Sequence, residues 1–191
     1  MAGAIQECTL KEIVYHVAIT LDGFIAHSDG SIDGFPMEGP HLPDYMEALQ
    51  QYAVAIMGRK TYEFGYNYGL EPGANPYPNM KTYVFSQQLS LQPESSEKPP
   101  EIQTVRKEFA SAVREIKAAA SGSIYLCGGD QFAGLLLQEG LVDRLILKLC
   151  PVSFGEGISL WGSQNSVLSN WQLVSQKAYS NGVLLLEYSR S

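Results

Sequence analysis

Three apolar runs of this sequence end in small or polar residues that lead directly into a helix or a turn: IMGRKT (56–61), VFSQQ (84–88) and LCGGDQ (126–131). Such ends suit an anion. A helix N-terminus carries unpaired N–H groups and about half a positive charge, and glycine lets a phosphate reach that backbone. Gly58, Arg59, Lys60 and Thr61 add two cations and a hydroxyl to the first end, all suited to phosphate. Gly128 and Gly129 leave the third end bare of side chains, although LCGGDQFAG is not the G-x-G-x-x-G dinucleotide fingerprint. Taken singly, glycine at a strand end is more often a plain turn or packing contact than a phosphate site, and Arg59 with Lys60 serve equally as a solvated helix start. Two such ends together can share one pyrophosphate.

Other chemistry finds little support. His16, His27 and His41 lack paired ligand spacing, so no metal site is expected, and His16 inside an apolar run reads as a satisfied core side chain. Cys8, Cys127 and Cys150 form no C-x-x-C pair and read as buried thiols. No serine sits in a G-x-S-x-G elbow. Reaction chemistry therefore falls to a cofactor. Asp33 and Asp44 are the candidate catalytic residues, able to bind or protonate a substrate, while acids in a loop or a first helical turn also serve as caps.

The elements that position these residues alternate. IVYHVAIT (13–20) is β-rich and apolar on both faces, as in a central strand, and LDGFIA supplies a glycine turn. HLPDYMEALQQ (41–51) predicts a helix opening with Pro43 and Asp44. YAVAIMG (52–58) predicts a buried strand, RKTYEFG one or two helical turns, and TYVFS (82–86) another strand. Residues 65–81, rich in Gly, Asn and Pro, predict a loop, as do 92–101. The tyrosines Tyr62, Tyr66, Tyr68 and Tyr77 suit packing or a dimer contact better than substrate stacking. Val105, Phe109, Val113, Ile116 and Ala120 recur at helical steps, with Gly122 as the expected C-cap. SIYLC, a helix through Phe132, Leu135 and Leu136, and a strand over 141–152 follow. Asn181-Gly182 between two alternating runs predicts a closing hairpin. This order implies an α/β fold: a mostly parallel sheet, helices on both faces and an antiparallel edge, with ligands at the carboxyl ends of the strands.

Composition agrees with one domain over 1–191, since 45% of the 191 residues are hydrophobic and 17% charged. A net charge of −7 with thirteen scattered Lys and Arg argues against nucleic acid. No stretch approaches the roughly 20 apolar residues of a membrane span, and MAGAIQECTLKEI lacks the pattern of a secretory leader, so the expectation is no membrane and a cytoplasmic setting.

The ordered set VAITLDGFIA, IMGRKTYE, VFS, LCGGDQF and GLVDRLILKLCPVSFGEG resembles the dihydrofolate reductase-like superfamily, and within it the reductase domain of the bifunctional riboflavin-biosynthesis deaminase-reductases. The resemblance runs from about residue 13 to 189. It implies a three-layer α/β/α domain with a mixed, mostly parallel sheet of about eight strands and an antiparallel C-terminal hairpin, NADPH as cofactor, a small-molecule substrate and a homodimer. By motif, Ala18, Ile19 and Ile25 flank the nicotinamide, with Gly23 in the turn between them. Gly58, Arg59, Lys60 and Thr61 hold phosphates, Arg59 near the adenosine 2'-phosphate. Ser86 and Gln87 lie by the adenosine half, and Gly128, Gly129, Asp130 and Gln131 wrap the pyrophosphate, with Gly128 and Gly129 joined by a cis peptide.

The sequence also departs from the pattern. Gln87-Gln88 stand where a basic residue is common, Asp130 sits beside the supposed pyrophosphate, the spacing from Asp44 to MGR differs from that of the folate enzymes, and the zinc deaminase half is missing. The implied substrate is 5-amino-6-(5-phosphoribosylamino)uracil, reduced at the ribose carbon to the ribitylamino product, or another small molecule. Two further readings stay open: a pterin or folate reductase, if Asp44 points into the pocket, and a nucleotide-binding sensor or partner module without turnover.

Overall fold

Apolar residues on both faces drive β1 (Ile13–Ile19) into the interior of the sheet, where both of its edges are paired. The computed structural model describes residues 11–91, 99–162 and 167–191. In spatial order the strands are β5 (Gln103–Val105), β4 (Lys81–Phe85), β3 (Tyr52–Gly58), β6 (Ser123–Gly128), β1, β7 (Arg144–Leu149), β10 (Leu184–Arg190) and β9 (Trp171–Ala178). The first six run parallel, and β10 pairs antiparallel with both β7 and β9. Two short pieces, β2 (Phe24–Ala26) and β8 (Ile158–Ser159), pair separately.

Strand periodicity sorts the side chains into two cores, one on each face. Ile13, Tyr15, Val54, Ile56, Ile124 and Leu126 meet α3 (Phe109–Ala119) and α4 (Asp130–Gln138). Val14, Ala55, Met57 and Tyr125 meet α1 (Leu42–Leu49) and α2 (Arg59–Phe64). The expected three layers and mostly parallel eight-stranded sheet are present.

Local boundaries differ in instructive ways. Val105 belongs to β5 rather than to the following helix, because Gln103–Val105 is captured by parallel pairing along β4. The helix then starts at Phe109, after Glu108 in the left-handed region at φ 52°. It ends at Ala120, whose extended backbone closes it, so Gly122 is not the cap; a Cβ there would lie 3.4 Å from that of Ala53. β2, β5 and β8 are two or three residues long, too short to carry a period. Cys8 and most of 92–101 lie outside the described residues.

The hairpin forms as expected, with a loop of Ser180, Asn181 and Gly182. Gly182 N–H donates to Tyr179 O at 3.0 Å, and φ of 83° at Gly182 explains the glycine. The hairpin is tied to α1: the Asp44 carboxylate accepts from Lys177 Nζ and Tyr179 Oη, each at 2.5 Å, and Asn181 Nδ2 lies 3.2 Å from His41 Nδ1.

Two stability outcomes follow from these contacts. Gly134→Ala gains about 1 kcal/mol in helix propensity, but the new methyl would stand 2.3 Å from the Trp161 carbonyl oxygen. Overpacking costs about 1–3 kcal/mol and outweighs that gain, so the urea midpoint is expected to fall; an unchanged or higher midpoint contradicts the contact. The bonds from Lys177 and then Tyr179 hold the Asp44 carboxyl below its usual range. A lowered folded pKa stabilises above the unfolded value of about 3.9 and is lost as pH falls through the folded one. Asp44→Asn is therefore expected to be less stable than the parent at pH 7 and to converge with it in acid, which urea unfolding along a pH series measures.

Candidate cofactor and substrate site

Parallel strands placed side by side bring their carboxyl ends to one rim, and here β3 and β6 deliver GRKT and CGGDQ to the same point. Their register shifts between Ile56 and Met57, so that Ile56 faces Leu126 while Met57 faces Gly128. Cys127 is the extra, unpaired residue of this bulge, a device that re-aims a chain at a site. Beyond it the backbone turns sharply, with φ of 148° at Gly128 and 96° at Gly129. Both angles favour glycine. No described peptide bond is cis, so the expected cis linkage between the two glycines is absent, and the turn is made by positive φ instead.

The approach is close because side chains are missing. A Cβ on Gly129 would stand 3.4 Å from Thr61 Oγ1 and 3.5 Å from Gly58 Cα, while one on Gly58 would stand 3.6 Å from Phe132 Cβ. On either side of this contact a cleft opens. The larger, about 660 Å³, has walls from Val17, Ile25, Ser28 through Asp33, Thr61, Phe64, Asn67, Tyr68, Cys127 and Gly128. The smaller, about 390 Å³, is bounded by Gly58, Arg59, Phe85, Ser86, Phe109, Gln131 and Phe132. Lys60, Gly129 and Asp130 border both. An elongated two-part ligand would cross at these three residues.

The polar groups around the rim differ in how far they are committed. Arg59 is half-exposed and paired with Glu63 at 3.0 Å. Lys60 is exposed and forms no ion pair among the described residues. Ser86 Oγ accepts from the backbone N–H of Gln88 and Leu89 at 3.0 and 2.9 Å, which fixes the turn after β4. Arg106 donates to Gln87 O at 3.3 Å and to Leu89 O at 3.1 Å, bringing a cation to the stretch where the sequence has only glutamines. Asp130 is the acidic residue of the first turn of α4 and lies against Gly162, where a Cβ would stand 3.2 Å from Oδ2.

Of the residues singled out from sequence, the rim gathers Ile25, Asp33, Gly58 through Thr61, Ser86 and Gly128 through Gln131. Ala18, Ile19, Gly23 and Gln87 line neither cleft. Asp44 lines neither as well, since its carboxylate is held by Lys177 and Tyr179. The segment 28–32 and Asn67 escaped sequence reasoning because nothing in their types marks them; tertiary docking brings them in. His27 stacks on Phe154 at 3.7 Å, Phe35 packs edge-on against the same ring, and Asp22 accepts from Thr20 Oγ1 and from the N–H of Phe154 and Gly155. These contacts seat the loop wall. The Thr20 hydroxyl, followed by the Gly155 N–H, holds the Asp22 carboxyl below its usual range.

Beneath the larger cleft lies a layer of sealed hydroxyls. Tyr77 Oη lies 3.1 Å from Cys127 Sγ, and Tyr45 Oη 3.2 Å from Tyr125 Oη. Burial raises the Cys127 thiol, which stays protonated at neutral pH. His16 is buried and neutral as expected, pushed down to about 4 by burial and then by Lys148, with Nδ1 3.4 Å from Tyr52 Oη. Tyr62 is core as well, its hydroxyl bridging Gly73 N–H and Ala74 O, whereas Tyr68 stands exposed at the cleft.

The sequence and the fold have known counterparts. The Bacillus subtilis (strain 168) protein YwjB is 32% identical over 153 residues, covering 79% of this chain and 83% of its own. YyaP of the same organism is 26% identical over 189 residues, covering 93% and 94%. A putative riboflavin biosynthesis protein from Shewanella sp. PV-4 superposes with a TM-score of 0.77 at 19% identity, over 94% of this chain and 99% of that one. The Thermotoga maritima diaminohydroxyphosphoribosylaminopyrimidine deaminase/5-amino-6-(5-phosphoribosylamino)uracil reductase gives 0.68 at 17% identity, over 94% of this chain and 56% of that one. Enterococcus faecalis dihydrofolate reductase complexed with NADP(H) gives 0.62 at 15% identity, over 96% and 98%. The fold is therefore dihydrofolate reductase-like. With the model of the RibD C-terminal domain matching residues 11–185, this chain belongs to the RibD C-terminal domain family.

Proposed function

We propose that the protein is an NADPH-dependent reductase that acts on a C=N or C=O bond of a ribosylaminopyrimidine or a related small substrate. The observation that carries this reading is the pair of clefts meeting at Lys60, Gly129 and Asp130, one for each half of a dinucleotide. The fit is chemical as well as spatial. A side-chain-free step, the N-terminus of the nine-residue α4 and Lys60, which forms no ion pair among the described residues, are what a pyrophosphate needs, while Asp130 adds one carboxylate at the border of both clefts.

In this reading Gly58, Lys60, Thr61, Gly128, Gly129 and Gln131 hold the pyrophosphate. Arg59 and Ser86 serve the adenosine end, with Arg59 at the 2'-phosphate and Gln87 carrying the turn. Val17 and Ile25 wall the nicotinamide, while Ala18, Ile19 and Gly23 shape the backbone behind them. When bound, NADPH supplies the hydride. Asp33, whose carboxylate has no partner among the described residues and borders the larger cleft, is the group to bind or protonate the substrate. Asp44 is set aside for that role by its ties to the hairpin, which weighs against a pterin or folate reductase.

We also propose a homodimer joined through β9. This edge strand is exposed along seven of its eight residues and presents Leu173 and Val174, 47% and 55% exposed. An unpaired edge of this kind is a template for a second strand, and the same strand of a second copy satisfies it symmetrically.

NADPH binding, followed by its fluorescence, is expected at micromolar concentration; the absence of both NADPH and NADH binding there rejects the reductase reading. Arg59→Ala is expected to weaken NADPH about tenfold or more and NADH little, since removing a charged hydrogen bond to phosphate costs about 1.5–3 kcal/mol. Equal losses for both remove Arg59 from the 2'-phosphate. Val174→Glu places a charge on the β9 edge and is expected to convert dimer to monomer in sedimentation velocity; a parent that already sediments as a monomer rejects the dimer.

A further inference from the structure

We infer that the substrate half of the larger cleft is built for an uncharged or cationic ring compound and rejects a phosphorylated one, an inference that rests on the reductase reading above. The charged residues facing this cleft come from every element around it: Asp29 and Asp33 from the loop after β2, Lys60 and Glu63 from α2, and Asp130 from the start of α4. Among the described lining residues Lys60 is the sole lysine or arginine, and it borders the smaller cleft too, at the crossing point of the two. It is therefore committed where the cofactor's own phosphates would lie. Arg59 faces only the smaller cleft and is paired with Glu63, and the His27 ring is taken up by its stack on Phe154 and its contact to Asp33 O at 3.0 Å. Among the described residues lining this cleft, no further cation remains to receive a second phosphate.

A phosphate monoester brings a charge of about −1.5 to −2 at neutral pH, and phosphate recognition needs Arg, Lys or converging N–H groups. Here it would meet two carboxylates at the mouth. Asp29 is held in place by Ser31 N–H at 2.8 Å, and Asp33 has no side-chain partner among the described residues. The same groups suit the opposite chemistry. A carboxylate accepts from ring and exocyclic N–H groups, the Asn67 amide both donates and accepts, and the Phe64 and Tyr68 rings offer faces to a planar heterocycle. The substrate class is thus an aminopyrimidine-like compound whose ribose, if present, carries no phosphate. This chain differs in that respect from a reductase that works on a phosphoribosyl substrate.

The test uses the intact protein loaded with NADPH and a matched pair of ligands, 5-amino-6-ribosylaminouracil and its 5'-phosphate, titrated by calorimetry. The riboside is expected to bind about tenfold or more tightly than the phosphate, the effect of like charges brought close in a partly solvated cleft. The discrimination is expected to shrink to about threefold or less in 0.5 M salt or in the Asp29→Asn/Asp33→Asn variant, as screening requires. Equal or tighter binding of the phosphate overturns the inference, as does failure of both ligands to bind the loaded protein, or a preference that neither salt nor the variant changes. Failure to load NADPH at all is read separately, before any ligand is added; it overturns the reductase reading and this inference with it.

Discussion

The structure turns on one close approach, that of the Gly58 and Gly129 backbones at the ends of two neighbouring parallel strands. Any side chain on Gly129 would be forced into a left-handed conformation against Thr61. The contact is available only because β3 and β6 are adjacent in the sheet, although 64 residues of chain separate the two strands. The bulge at Cys127 then sets the angle at which the second strand arrives. The two clefts, the position of Lys60 and the start of α4 all depend on this geometry.

An acidic protein that holds an anionic ligand must solve its electrostatics locally. With a net charge of −7, long-range attraction is of no help, and the work falls to a few oriented groups. The rim supplies them by backbone direction as much as by side chain. Arg59 is buffered by Glu63, Asp130 lies against Gly162, and Arg106 reaches over from the edge of the sheet to the turn at Gln87. The same shortage of cations leaves the larger cleft bordered by Asp29, Asp33, Glu63 and Asp130 against Lys60, so one feature of composition shapes both clefts.

Beneath the rim, the polar side chains of the α1 face are kept inert by burial. His16 is neutral, Cys127 is a thiol, and the tyrosine hydroxyls pair with one another, with His16 and Cys127, or with backbone. Polar groups in such a layer cost free energy unless paired, and paired they add specificity to the packing. Their role is to hold α1, the tyrosine-bearing loop and the sheet in register under the larger cleft.

By itself the sequence determined the layers and the rim. Continuous apolar strands with intervening helical periods specify a covered parallel sheet, and Gly, Arg, Lys and Thr at strand ends mark the carboxyl rim, because those signals are local in the chain. Asn181-Gly182 likewise announced the hairpin from two residues. What required tertiary structure was everything decided by a partner distant in sequence. Val105 joined a strand because β4 offered its edge, Asp44 was drawn to the hairpin by Lys177 and Tyr179, and loop 28–33 became a cleft wall because His27 and Phe35 dock on Phe154. The Gly128–Gly129 step shows both sides. Its two bare residues were legible in the sequence, but the trans peptide with two positive φ angles, and the carboxylate of Asp130 facing Gly162, follow from where β3 and the 158–162 segment lie in space.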